Sequence, residues 1–213
     1  MTYSTLNSFT GKSSATFSFN SISRKLQPNT ILCVRNAKGE LIDSYPIKHM
    51  DVVTFAVEFA DYAHHTLQIS GGGRHSAAQI AATAECIALT RRWIADSGSV
   101  TPDELYRAVA GRGVRRSAVD AAYLAAAISE GDVTLADLHN PAHAAAAADA
   151  ADAAAYVAYL ATYIPYGAAV HDAHAYNAAY PEHMRLVARV TRKSKDGEYA
   201  RQGQFILKYL RGV

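Results

Sequence analysis

From Ala142 to Ala161 the chain is mostly alanine, interrupted chiefly by Asp149, Asp152, Tyr156 and Tyr159. Alanine is the best helix former and a poor strand former, so a helix suits this stretch better than a sheet. Its small side chains let neighbouring backbones approach closely. A core built this way suits packed helices, and the spacing predicts a long helix opened by Asn140-Pro141 and broken near Pro165 and Gly167.

Ahead of that helix the period is different. Residues 1–14 are polar and read as a loose arm or an edge element. Ala15-Thr16-Phe17-Ser18-Phe19 alternates as a half-buried strand would. Thr30 to Arg35 and Glu40 to Tyr45 flank the turn-like Asn36-Ala37-Lys38-Gly39, which predicts a hairpin. The β-branched and aromatic run Val52 to Phe59 reads as another strand, and Thr66 to Ser70 as one more. The expected fold is therefore α+β. A small antiparallel sheet of three to five strands over 1–73 precedes a larger alanine- and tyrosine-rich helical bundle over 74–213.

Helix punctuation begins after Gly71-Gly72-Gly73. Ser76-Ala77-Ala78-Gln79 is a capping-box pattern and predicts a helix to about Ala95, burying Ile80, Ile87 and Trp93. Thr101-Pro102-Asp103-Glu104 predicts a second helix ending at Gly111, because Pro and acids both suit a first turn. Further helices are expected over Ser117–Glu130 and about Ala168–Tyr180, with a new one from Pro181. A turn is expected at Ser194-Lys195-Asp196-Gly197, and a last helix over Glu198–Leu210 with Phe205, Ile206, Tyr209 and Leu210 mostly on one face.

Charge is strongly segregated beneath a net +2. Residues 117–181 hold seven acids and no Lys or Arg, whereas 182–213 hold eight bases and three acids. The plainer reading is acidic and basic surfaces balancing one another within one fold. The sharper reading is a face that meets a partner of opposite charge, with electrostatics setting on-rate and specificity. Cys33 and Cys86 show neither a disulfide framework nor a CxxC spacing. Nothing resembles a signal peptide or a membrane-spanning run, which reads as a soluble, cytoplasmic protein.

Tyr156, Tyr159, Tyr163 and Tyr166 recur at three, four and three, as residues grouped on one side of a helix do. They fit an internal seam, or a recognition surface in which tyrosine supplies large contact area. Asp149 and Asp152 lie just upstream. Gly71, Gly72, Gly73 and Arg74 precede a helix start and could cradle an anion, although neither phosphate-loop pattern is present and a flexible joint explains them as well. His171 and His174, three apart, have spacing a divalent metal would accept; helix-seam histidines account for them more simply, so no metal site is assigned. His139 and His143 are four apart, but Asn140-Pro141 intervenes. Arg91, Arg92, Arg112, Arg115 and Arg116 are interspersed with acids and carry no nucleic-acid motif. No nucleophile stands in a GxSxG or comparable context, and no cofactor is expected.

Val114-Arg115-Arg116-Ser117-Ala118-Val119-Asp120-Ala121-Ala122, then Glu130-Gly131-Asp132-Val133, the alanine run, and Glu198-Tyr199-Ala200-Arg201-Gln202-Gly203-Gln204-Phe205-Ile206-Leu207 together carry a resemblance. The chain is similar over this region to alanine-rich helical proteins of bacteria and phages, among them proteins assigned to immunity in polymorphic-toxin systems. Arg201 stands where that pattern has Trp. The resemblance implies a binder that neutralises another protein, a toxin or defence component, rather than an enzyme. On this reading Tyr156, Tyr159, Tyr163, Tyr166, Asp149 and Asp152 make the contact. A self-associating assembly protein, and an enzyme organised by the histidine pairs or the glycine-rich joint, are the alternatives. A membrane partner is not expected, nor is nucleic acid.

Overall fold

The computed structural model describes residues 1–8, 10–69, 76–110, 118, 122, 125 and 176–213, with the backbone alone at 67–69 and 176–192. The fold is α+β: a three-stranded antiparallel sheet at the N-terminus, then helices. Strands β1 (Thr2–Asn7), β2 (Thr30–Arg35) and β3 (Leu41–Ile47) lie in the order β1-β2-β3.

The hairpin forms where the turn residues place it. Asn36 accepts at Oδ1 from the backbone N–H groups of Lys38 and Glu40, and Gly39 adopts φ +82°, a left-handed conformation that costs glycine little. Leu32 faces Thr5 on one side and Tyr45 on the other, and Val34 faces Tyr3 and Asp43. Leu32, Val34, Tyr3, Tyr45 and Ile47 are all buried, so the inner sheet face is the alternating apolar set of a half-buried sheet.

Ala15–Phe19 does not form the expected strand. The segment meets β1 at one isolated bridge, Tyr3 with Phe17, and the residues just before it at another, Leu6 with Ser13. Phe19 instead opens a 3-10 helix, Phe19–Arg24. The outer edge of β1 is thereby covered, the Ser14 and Phe17 N–H groups donating to Thr5 and Tyr3 at 2.7 Å. On the opposite edge, Ser44 donates its N–H to the Asp43 carboxylate, and Pro46 has no N–H to offer.

The largest departure from the sequence reading is helix α1, His49–Ile69. Both runs expected as strands, Val52–Phe59 and Thr66–Ser70, overlap it. Val52, Val53, Phe55, Ala56, Val57, Phe59, Ala60 and Ala63 are all buried. A helix apolar over so much of its circumference belongs inside a core. Asp51 accepts the Lys48 N–H at 2.7 Å, bonding back across the first turn.

Helix α2, Ala77–Ala95, starts with the expected capping box between Ser76 and Gln79 and buries Ile87 and Trp93, while Ile80 is only half-buried. Helix α3, Pro102–Ala110, begins at Thr101-Pro102, where Thr101 and Glu104 bond reciprocally. Ala118, Ala122 and Ala125, spaced four and three apart, are helical and buried against the core. The remainder of the expected helix Ser117–Glu130, the alanine-rich helix, and the part of Ala168–Tyr180 before Tyr176 lie outside the described residues.

Helix α4 runs unbroken from Tyr176 to Arg211. This corrects two expectations: Pro181 does not begin a new helix, and Ser194–Gly197 is not a turn. A helical Gly costs about 1 kcal/mol relative to Ala, and downstream burial of Glu198, Gln202, Gly203, Ile206 and Leu207 outweighs it. Ile206 belongs to the same core cluster as β-sheet residue Leu32, α1 residue Phe55, α2 residue Trp93 and α3 residue Leu105. The C-terminal end of the chain thus completes a core begun by its first residues.

Candidate functional site

The polar stripe of α1 is where three helices meet. Thr54, Glu58, Asp61 and His65 recur at four, three and four, the polar counterpart of a helical apolar face. From α2, Arg91 donates to Glu58 Oε1 through Nε at 3.1 Å and NH2 at 2.5 Å, and NH2 also lies 3.0 Å from Asp61 Oδ2. Burial works against the Arg91 charge, but the bonds and charge of Glu58, with Asp61, outweigh it and raise its pKa.

From α4, Arg201 reaches Tyr62, beside this stripe. Its guanidinium lies 3.8 Å from the centre of the Tyr62 ring, a cation–π contact. It also grips Glu198 on both oxygens, Nε to Oε2 at 2.8 Å and NH2 to Oε1 at 2.7 Å. Gln202 adds a third donor, Nε2 to Glu198 Oε1 at 2.9 Å. The Glu198 side chain is only 1% exposed, so this carboxylate is held inside the protein by donors from its own helix. Burial again opposes the Arg201 charge, and the Glu198 bond and charge, with Tyr62 and Glu58 adding to them, raise its pKa.

Next to this polar seam α4 packs by aromatic contact. Phe205 meets Phe55 and Phe59 edge-on, each pair of ring centres 6.2 Å apart, and Tyr209 meets Phe55 at 5.2 Å. Gly203 permits the close crossing with the 3-10 helix: a Cβ there would stand 3.0 Å from the Phe19 ring and 3.2 Å from its carbonyl oxygen. At the last turn Tyr209 donates to Asp51 at 3.2 Å, and Arg211 donates through Nε to the Tyr45 hydroxyl at 3.0 Å. Tyr45 in turn donates to Asp43. Burial and the neighbouring Asp51 charge push the Tyr209 phenol up.

Chemically this arrangement is a set of clamps. Both Glu198 oxygens are occupied as acceptors, and Arg91 and Arg201 are committed to carboxylates. Cys86 is buried, and that burial, with Glu85 adding to it, pushes its thiol up to about 12, so it stays protonated and poorly nucleophilic at neutral pH. Cys33 is also buried. Among the described residues no group of three or more His, Cys, Asp or Glu is arranged to hold a metal ion.

Tyr156, Tyr159, Tyr163, Tyr166, Asp149 and Asp152 lie outside the described residues, as do Gly71, Gly72, Gly73, Arg74, His171, His174, His139, His143, Arg112, Arg115 and Arg116. Arg91 and Arg92 do not act as a pair: Arg91 binds α1, whereas Arg92 donates to the Ser99 carbonyl at 3.1 Å. The Glu198, Arg201, Gln202 and Tyr62 cluster was not singled out from the sequence, although Glu198 with Arg201 and Gln202 three and four residues on is a helix-pairing pattern. No helix among the described residues is long and apolar enough to cross a membrane. No family model, curated protein or solved structure matches the chain.

Proposed function

We propose that this chain is a non-catalytic, protein-binding inhibitor of the immunity or phage anti-defence type, acting by stoichiometric binding to a partner protein. The contact is made by the acidic, tyrosine-bearing stretch, with Tyr156, Tyr159, Tyr163 and Tyr166 as anchors and Asp149 and Asp152 setting charge. The observation that carries the reading is segregation: 117–181 has seven acids, no Lys or Arg, and seven tyrosines. Such a surface suits a basic partner, with aromatic hot spots giving affinity and charge giving rate.

The described core is compatible with that division of labour. Arg91 ties α2 to Glu58 and Asp61 of α1, while Arg201, paired with Glu198 within α4, packs on Tyr62 of α1. α3 and α4, which flank the acidic stretch in sequence, both bury side chains in the common core. The resemblance carried by Val114–Ala122 and Glu198–Leu207 adds to the same reading.

The test is recovery of a partner from bacterial lysate, followed by calorimetric titration of the two purified proteins. A one-to-one endpoint is expected. Replacing the four tyrosines with Ala is expected to weaken binding at least ~100-fold, the loss of two hot spots, with circular dichroism and Tm unchanged. Undiminished binding by a folded four-tyrosine variant contradicts the proposed surface.

A further inference from the structure

Asn29 is the one non-glycine residue with positive φ among the described residues, at +56°, a conformation asparagine tolerates better than most side chains. It ties three segments together at one end of the sheet. Its N–H donates to the Ile47 carbonyl, at the end of β3, at 2.8 Å, and its own carbonyl accepts from the Ser8 N–H, just past β1, at 3.0 Å. Its side chain meets the start of α1, where Nδ2 lies 3.0 Å from His49 Nε2. An amide nitrogen only donates, so Nε2 accepts and the ring is neutral, with its proton on the buried Nδ1.

We propose that this contact is an acid-sensitive latch: protonation of His49 breaks it and loosens the join between the sheet and α1 below about pH 6.5, the ordinary midpoint of histidine. A proton on Nε2 sets donor against donor. The cation would also sit part-buried at the positive end of the dipole of a 21-residue helix. The charges around it do not compensate. Lys48 is adjacent in sequence, and α4, which reaches Asp51 through Tyr209, ends in further bases, Lys208 and Arg211. Asp51 is the nearest acid along the chain, and its carboxylate is taken by the Lys48 N–H and the Tyr209 hydroxyl. Asn29, which meets the ring from the segment before β2, carries no charge. The folded chain therefore favours the neutral ring. Its stability is complete above about pH 6.5 and is lost as pH falls from there towards the lower folded-state midpoint. The latch uses none of the residues of the proposed partner contact.

The test is an NMR titration of the full chain, with the His49 ring assigned by its absence from the spectrum of His49→Gln. A midpoint about one pH unit or more below the ordinary 6.5 is expected. Over that interval the folding equilibrium constant, measured by urea unfolding, should fall about tenfold more in the wild type than in His49→Gln. Protection of the Ser8 amide against hydrogen exchange should fall over the same range by more than that of Phe17, which bonds β1 at Tyr3, away from the latch. Asn29→Asp keeps a side chain that tolerates positive φ but sets a carboxylate against the ring, and should move the midpoint above about 6.5. A wild-type midpoint at or above about 6.5 overturns the proposal, because the amide then accepts from the ring instead. A midpoint left unmoved by a folded Asn29→Asp also overturns it. Should that variant fail to fold, the wild-type midpoint and the Ser8 exchange decide, and a loss of Ser8 protection no greater than that of Phe17 contradicts the latch.

Discussion

Two arginines reach α1 from different neighbours, Arg91 of α2 onto Glu58 and Asp61 and Arg201 of α4 onto the Tyr62 ring, yet their carboxylate partners differ in what surrounds them. Arg91 and its acceptors Glu58 and Asp61 are each between 36% and 43% exposed in their side chains. Arg201 is 40% exposed, but Glu198 only 1%. Water can take over for Arg91 when its pair is broken; it cannot reach Glu198 without opening the α4 contact. Similar geometry at the surface therefore contributes little, whereas at the α4 seam its removal leaves polar groups stranded.

The largest effect is expected where the buried acceptor is deleted. Glu198→Ala removes both carboxylate oxygens that accept from Arg201 and the one that accepts from Gln202, and is expected to cost about 3 kcal/mol in denaturant unfolding. A loss below roughly 1 kcal/mol would place Glu198 with the surface pairs. Gly203→Ala tests the same contact sterically. Helix propensity favours Ala by about 1 kcal/mol, but the added methyl presses on the Phe19 ring and carbonyl. Overpacking of this kind costs about 1–3 kcal/mol, so net destabilisation near 1 kcal/mol is expected, visible as a lowered urea midpoint. Arg91→Ala is expected to cost no more than about 1 kcal/mol, and raising salt should shrink even that difference.

The smallest effect belongs to Glu104, part-exposed at the start of α3. Hydrogen bonds from the Thr101 backbone and hydroxyl hold its carboxyl below the usual carboxylate range. A folded-state pKa depressed below the unfolded value of about 4.3 gives stability that is present above that pH and lost as pH falls through the folded value. Thermal melts of wild type and Glu104→Gln should therefore differ slightly at pH 7 and converge in acid. A gap that widens on acidification contradicts this cap.

The same contrast between surface and interior explains what the sequence revealed. Hairpin and helix starts were legible because Asn36-Ala37-Lys38-Gly39, Ser76 with Gln79, and Thr101 with Glu104 act locally. Helix α1 was not, because Val52–Phe59 is β-branched and aromatic, and a short apolar run fits a buried strand or a buried helix equally. The distinguishing signal was the polar set Thr54, Glu58, Asp61 and His65, whose four-three-four spacing suits a helix and no strand. Ser194–Gly197 misled for the opposite reason: its residues favour a turn, and the tertiary contacts of Glu198, Gln202 and Ile206 override them. The Glu198 clamp was half legible, since spacing could pair it with Arg201 but only packing shows that it is buried beside Tyr62. The tyrosine and aspartate candidates, being outside the described residues, rest on sequence alone.

Native-state hydrogen exchange tests most directly whether α4 is part of the N-terminal core. Amides of Gln202–Leu207 are expected to open with the same free energy as those of Phe55–Ala60, through global unfolding, and both sets should fall together in Glu198→Ala. Exchange of Gln202–Leu207 at much lower free energy, while Phe55–Ala60 stays protected, would contradict the account.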